Sequence, residues 1–263
     1  MNYSIVKKIS LFLQLVDTLA RFNLKVEASR FYLGYLWWVF EPLLYVAIFY
    51  YVFKYGIQIG TEDYLLFLIC GKFMFLWFSK SVIASSMAIK NNTNIFIRVK
   101  ISKTLFPYSA VHSAFYKEIL SLLVIVILCT WLGSKPATIW VFLLPLLLTQ
   151  YILTMACGLA AALLVSLIAD FSNLITIVML FLLISSGVFW DIRNIENPEL
   201  VSLIFALNPI AFLIDSYRQI LIEQQLYNLK HLLMLGICVI LATISLHILT
   251  EKFSSRLTTW MLR

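Results

Sequence analysis

The chain has 263 residues, of which 62% are apolar and 13% charged, with a mean hydropathy of +0.94. Water-soluble domains are about 45 to 50% apolar and about 25% charged, because a globule needs polar atoms to face water. A soluble globule is excluded, and the solvent that accepts this much apolar surface is lipid. Lys plus Arg exceeds Asp plus Glu by 20 to 13. The basic residues sit in short clusters between apolar runs, with no groove-like interleaving of charge and stacking aromatics, so no nucleic-acid partner is expected.

In chain order, Ser4 to Phe22 places Lys7, Ser10, Gln14, Asp17, Thr18 and Arg21 on one helical face, with Ile5, Ile9, Phe12, Leu13, Val16 and Leu19 turned elsewhere. This predicts an amphipathic helix lying along the inner leaflet. The first 30 residues lack the layout of a cleaved signal, so the mature protein is expected to begin at Met1. A membrane-crossing helix needs about 20 mostly apolar residues, and six segments qualify: Trp37 to Tyr55, Tyr64 to Ile89, Pro107 to Leu132, Ile139 to Ile168, Phe171 to Trp190, and His231 to Thr250. The run Leu200 to Ile214 is short and broken by Asn208-Pro209, so a re-entrant or interfacial element is expected there rather than a seventh span.

The fold class is therefore an all-α integral membrane protein. It has six transmembrane helices, an N-terminal amphipathic interfacial helix, and short re-entrant or interfacial helices before the last span. As one transmembrane domain, the chain divides into an interfacial N-terminus (1–36), spans one to five (37–190), short outward-side helices (191–230), span six (231–250) and a tail (251–263). Basic residues in short connections mark the cytoplasmic side. With the N-terminus inside, Lys7, Lys8, Arg21, Lys25, Arg30, Lys90, Arg98, Lys100, Lys103, Lys252, Arg256 and Arg263 fall there. Lys54, Lys135, Arg193, Arg218 and Lys230 fall opposite. Both termini are expected in the cytoplasm.

The segment Lys90 to Pro107 has four basic residues, no acidic one, and an apolar Ile95-Phe96-Ile97 patch. It reads either as a short helix that docks a soluble partner or as a plain positive-inside loop. No GxxxxGK[ST], HExxH or GxSxG occurs, the three histidines are scattered, and the four cysteines share no CxxC spacing. The chain therefore offers no P-loop, no metal set and no catalytic motif of its own.

Charges within spans are costly, about 2.5 to 3.5 kcal/mol at mid-membrane on insertion scales, unless they pair, snorkel or face water. Five qualify: Glu41, Lys72, Lys80, Lys117 and Glu118. Lys72 and Lys80 are eight apart, compatible with one wet face or with snorkelling to opposite interfaces. Lys117 and Glu118 are adjacent and point apart, so separate partners are expected. Glu41 precedes Pro42 at the start of its span, where proline and a carboxylate both suit a helix N-terminus. The small residues from Gly158 to Ala162 suit close helix packing. Trp38, Tyr45, Phe49 and Phe53 share one helical sector, as do Phe67, Phe75 and Phe78. Such faces either pack in bulk or offer flat surfaces to sugar rings.

The stretch SRFYLGYLWWVFEPLLYVAIFYYVF, Ser29 to Phe53, resembles the lead-in to the first span of type-2 ABC exporter permeases of the polysaccharide class, which export O-antigen, capsule or teichoic acid chains. The basic segment running into Phe106-Pro107 and the stretch LNPIAFLIDSYRQIL, Leu207 to Leu221, agree in place and kind. The chain departs from that pattern in its aromatic SRFYLG and in Lys72 and Lys80.

The resemblance implies a homodimer in the bacterial cytoplasmic (inner) membrane that works with two separate ABC ATPase subunits. ATP and Mg would be bound by those partners, and this chain would hold no cofactor. It implies a channel for lipid-linked (polyprenyl diphosphate) polysaccharide, lined by candidates Trp38, Tyr45, Phe49, Phe53, Phe67, Phe75, Phe78, Lys72 and Lys80. Arg30 and Lys25 are candidates to attract the diphosphate. Asn94, Ile95, Phe96, Arg98 and Lys100 would couple to the ATPase, and Asn208, Pro209 and Arg218 would belong to an exit gate. A type-2 exporter of a small lipid or drug shares the spans, with less similarity expected at LGYLW. A channel or ion-coupled carrier would show selectivity residues or internal repeats, and none is visible.

Overall fold

The computed structural model describes residues 2–52, 62–99, 101–131 and 137–253, and these are helical throughout apart from short connections. Phe53, Lys54, Lys100, Lys135, Arg256 and Arg263 lie outside the described residues. Eleven α-helices are described: α1 (Asn2–Arg30), α2 (Trp37–Tyr51), α3 (Glu62–Ser86), α4 (Ala88–Asn91), α5 (Thr93–Arg98), α6 (Leu105–Trp131), α7 (Leu143–Leu167), α8 (Phe171–Ser185), α9 (Pro198–Leu207), α10 (Pro209–Arg218) and α11 (Leu229–Lys252). A 3-10 turn over Thr138–Phe142 leads into α7, and the π-helical turn Gln219–Glu223 extends α10.

Among the described residues, four helices are long and apolar enough to cross a membrane: α3, α6, α7 with its leading 3-10 turn, and α11. The count reaches six if the bent pairs α1–α2 and α9–α10 each form one span, and α8, at the fifth expected span, is a shorter apolar helix of 15 residues. Because lipid replaces water, the most apolar helix belongs outermost. In its most apolar window α11 is 11% buried, whereas α3 is 72% buried. α3 is the hub; α2, α6, α7, α8 and α10 all pack on it. Its crossing with α7 is tight because Gly158 faces Ser85. A Cβ at Gly158 would lie 2.7 Å from the Ser85 hydroxyl oxygen, so a small residue is required there.

Several boundaries differ from the sequence reading for local reasons. α1 continues eight residues beyond Phe22, because a small-residue stripe of Val16, Ala20, Leu24 and Ala28 keeps burying one face. It ends where Gly34 takes a φ of +52°, and the chain turns 99° into α2. α3 stops at Ser86, and the chain continues as separate short helices α4 and α5. Asn92 breaks the path at φ −109°, its side chain bonded back to the Ala88 carbonyl. α8 stops at Ser185 rather than Trp190 because Gly187 adopts φ +69°, where its neighbours leave no room for a Cβ.

The expected re-entrant element is a helix pair bent by 110° at Asn208. Both members are built the same way. Asn197 caps α9 and Asn208 caps α10, each side-chain oxygen accepting from backbone amides two or three residues on, with a proline in the first turn. α9 is exposed, whereas every residue of α10 from Ile210 to Arg218 is buried against α3 and α7.

Candidate functional site

Among the pockets of the described residues, two combine aromatic with charged side chains, one toward each end of α3. The first lies toward the α4–α5 end, enclosed by α1, α2, α3 and α6, with a volume of about 220 Å³. Trp38, Glu41 and Tyr45 come from α2, Trp77 and Lys80 from α3, Lys117 and Glu118 from α6, and Glu27 from α1. Four of the five span charges thus converge here. Lys80 donates to the Glu41 carboxylate, and Lys117 donates to both Glu27 oxygens at 2.8 and 2.9 Å. Glu41 is not at the helix start that the sequence suggests: α2 begins at Trp37, Pro42 lies inside it, and Glu41 serves a partner on another helix instead of its own helix terminus. Pairing answers the membrane's penalty on charge, and the partners lie 39 and 90 residues apart in sequence.

α1 is held against α6 by a second polar clamp. Tyr116 and His112 of α6 both face the Asp17 carboxylate, with His112 Nε2 at 3.6 Å, and Arg21 adds an ion pair at 3.0 Å. The Tyr116 hydroxyl, and after it Arg21, hold the Asp17 carboxyl below its ordinary value of 3.8. Lys25 and Arg30 project from α1 into the exposed surroundings.

The second site, at the α9–α10 end, has a volume of about 510 Å³ and combines Tyr64, Phe67, Phe189 and Trp190 with Asp191, Asn194, Arg218 and Glu223. Tyr64 and Phe67 stack at 6.0 Å. Arg193 grips both Asp215 and Glu223 with its guanidinium, at 2.9 to 3.0 Å. Arg218 lies over the Phe67 ring, 3.3 Å from its centroid. It donates to the carbonyls of Phe67, Gly187 and Val188 at 2.8 to 3.2 Å. Gly71 makes room for it; a Cβ there would come within 2.3 Å of the guanidinium. Asn208 bonds the Ser186 hydroxyl at 2.9 Å while capping α10. Asn208 and Arg218 thus fasten α10 to the end of α8, with Pro209 setting the start of α10.

The sequence candidates are distributed over these sites unevenly. Trp38, Tyr45 and Lys80 meet in the first, Phe67 and Arg218 in the second. Lys72 sits apart from Lys80, its ammonium 5.8 Å from the Phe189 ring centroid. Phe75 and Phe78 are 2% and 3% exposed and belong to the core of the chain. Phe49 stacks on Tyr45 at the edge of that core. In α5, Phe96 turns inward onto Phe106, edge to face at 5.1 Å, while Asn94, Ile95 and Arg98 are exposed. Lys103 is buried beneath, 5.7 Å from the Phe96 ring centroid. Burial pulls its ammonium below the ordinary lysine value, with Glu251 opposing. Glu251 also accepts from Ser102 and Thr104, tying the end of α11 to this segment.

Sequence reasoning missed Glu27, Trp77, Tyr64, Phe189 and Trp190. Following the Val16 stripe through Ala20 and Leu24 to Ala28 would have kept α1 helical and exposed Glu27 as a membrane-level carboxylate.

A bundle of apolar helices packed around the buried helix α3, with ion pairs between helices and a broken helix pair at one end, is the architecture of a multi-pass membrane protein. The ABC-2 type transporter family pattern matches residues 14–222, and the chain belongs to that family. Among characterised relatives, an O-antigen export system permease protein RfbA of Klebsiella pneumoniae is 28% identical over 199 residues, covering 75% of this chain and 76% of the relative. A second from the same organism is 26% identical over the same shares. One from Myxococcus xanthus is 24% identical over 232 residues, 88% of this chain and 89% of the relative. The family and the apolar helices make this a multi-pass bacterial membrane protein, consistent with the inner membrane.

Proposed function

We propose that this chain is the channel-forming subunit of an ATP-driven exporter of lipid-linked (polyprenyl diphosphate) polysaccharide, most simply an O-antigen. The similarity to three O-antigen export permeases over three-quarters or more of the chain carries this reading. The geometry agrees with it, since both concave sites pair aromatic faces with hydrogen-bonding groups, the combination that suits sugars.

In this reading two copies enclose the path and a separate ABC ATPase supplies energy by binding ATP and Mg. Both termini and the α4–α5 segment face the cytoplasm, as the basic residues direct. The exposed side of α5, with Asn94, Ile95 and Arg98, meets the ATPase. Phe96 is the packed foot that transmits force to Phe106 and α6. Lys25 and Arg30 stand where an anionic lipid head arrives, and the α9–α10 pair frames the exit.

The experiment is a deletion of this gene, with surface polysaccharide probed on intact cells and again after lysis. Polymer absent outside and accumulated inside is the expected result. Normal surface polymer would refute the reading and favour a small-lipid or drug exporter.

A further inference from the structure

The cavity between α1, α2, α3 and α6 holds two buried polar atoms that nothing satisfies. Glu118 is 6% exposed and Trp77 is 3% exposed, and both side chains line the cavity. Glu118 Oε1 and Trp77 Nε1 have no hydrogen-bond partner among the described residues. An unpaired carboxyl oxygen and an unpaired indole N–H in a low-dielectric interior are both costly. Such groups persist where a ligand or water completes them.

The missing partners define the chemistry. Glu118 needs a donor and Trp77 needs an acceptor, so the ligand must supply both within one small volume. An anion fits poorly: Lys80 and Lys117 are already engaged by Glu41 and Glu27, which leaves no free cation in the lining to hold it. An acyl chain would leave both polar atoms unsatisfied. A sugar ring offers hydroxyls that donate and accept, and apolar C–H faces that suit flat aromatic walls. Trp38, Tyr45, Phe73 and Trp77 provide those walls around about 220 Å³, space for one ring rather than a chain.

We propose that this cavity is a binding site for a single pyranose unit, with Glu118 accepting a ring hydroxyl and Trp77 donating to a sugar oxygen. The proposal deepens the polysaccharide-export reading and rests on it. The cavity lines the half of α3 nearer the α4–α5 end, from Phe73 to Ala84, so it engages the sugar before that sugar travels along the chain. Glu118 and Trp77 set which ring orientation is admitted, and the ion pairs Lys80–Glu41 and Lys117–Glu27 flank the ring.

The test is saturation-transfer NMR on the full-length protein in lipid nanodiscs with methyl pyranosides of the gluco, galacto, manno, rhamno and N-acetylglucosamine series. Inorganic phosphate and ethanolamine serve as competitors. At least one pyranoside should show saturable transfer to its ring protons, weakened about tenfold in Trp77→Phe and in Glu118→Gln. It should be unchanged in Cys238→Ser on the lipid-facing helix α11, and displaced by neither competitor. Glu118→Gln keeps the size and shape of the side chain, so it should fold with an unfolding midpoint close to that of the parent.

Absence of binding by every pyranoside, equal binding by both variants, or displacement by phosphate or ethanolamine would overturn the assignment. Failure of the two readings is distinguishable. Export that depends on the gene without any pyranoside binding sinks only the cavity assignment, whereas a deletion with normal surface polymer sinks the export reading.

Discussion

The two ends of the helix bundle hold charge in different ways. At the α9–α10 end, Arg218 is held by three backbone carbonyls and the face of Phe67. At the α4–α5 end, Lys80 and Lys117 are held by the carboxylates of Glu41 and Glu27. A guanidinium fixed to backbone cannot leave without breaking the loop after α8. A lysine fixed to a glutamate can exchange partners at small cost, especially Lys80, whose side chain is 53% exposed. The first arrangement is a staple of the fold. The second is a set of side-chain contacts that a ligand or a conformational change can rearrange.

The sharpest break of this comparison is Arg218→Lys. Lysine keeps the charge but lacks the fork that reaches three separate acceptors. Leaving buried carbonyls unsatisfied should cost about 3 kcal/mol or more, and folded protein recovered by size-exclusion in detergent should fall sharply. Gly71→Ala should act in the same direction to a lesser degree, lowering the thermal midpoint by displacing the guanidinium. By contrast, Glu41→Gln and Lys80→Gln should leave the protein folded and lower export about tenfold. The exchange Glu41→Lys with Lys80→Glu should recover the folded-state midpoint of the parent. If the single changes unfold the protein as Arg218→Lys does, the distinction between staple and rearrangeable pair fails.

The coupling segment gives a finer contrast. Arg98→Asp, on the exposed side of α5, should abolish export and ATPase co-purification with no change in thermal midpoint. Phe96→Ala should cost about 1 kcal/mol of stability by losing its edge-to-face contact with Phe106.

The smallest effect concerns pH. Because Asp17 titrates below its ordinary value of 3.8 in the folded protein, its contribution is complete above that value and is lost as pH falls through the folded value. Amide protection of α1 should fall further below about pH 4, as the Asp17 carboxylate takes up its proton.

Much of the fold was legible because lipid imposes a length and a composition on each span. The starts of α2, α6 and α11 fall within two residues of the expected positions. The ends of α1 and α8 were not legible. The first is extended by burial of Ala20 and Ala28, which composition does not separate from exposure, and the second is cut short by the backbone of Gly187.

Of the first site, the charges Glu41, Lys80, Lys117 and Glu118 stood out individually because each is expensive in a span. Their convergence did not, since it depends on how four helices pack. The aromatic sectors show the same limit. Period alone gives Phe67, Phe75 and Phe78 one face, but it cannot say that α3 is the hub and that Phe75 and Phe78 therefore meet other helices.

The central claim is ATP-driven movement of polymer through this permease, and inverted membrane vesicles test it directly. Vesicles containing the chain and its ATPase, given lipid-linked polymer on the outside, should move it into the lumen, where it resists added glycosidase, with ATP but not with a non-hydrolysable analogue. Polymer that stays glycosidase-sensitive with ATP, in vesicles where both subunits are present, would contradict the account.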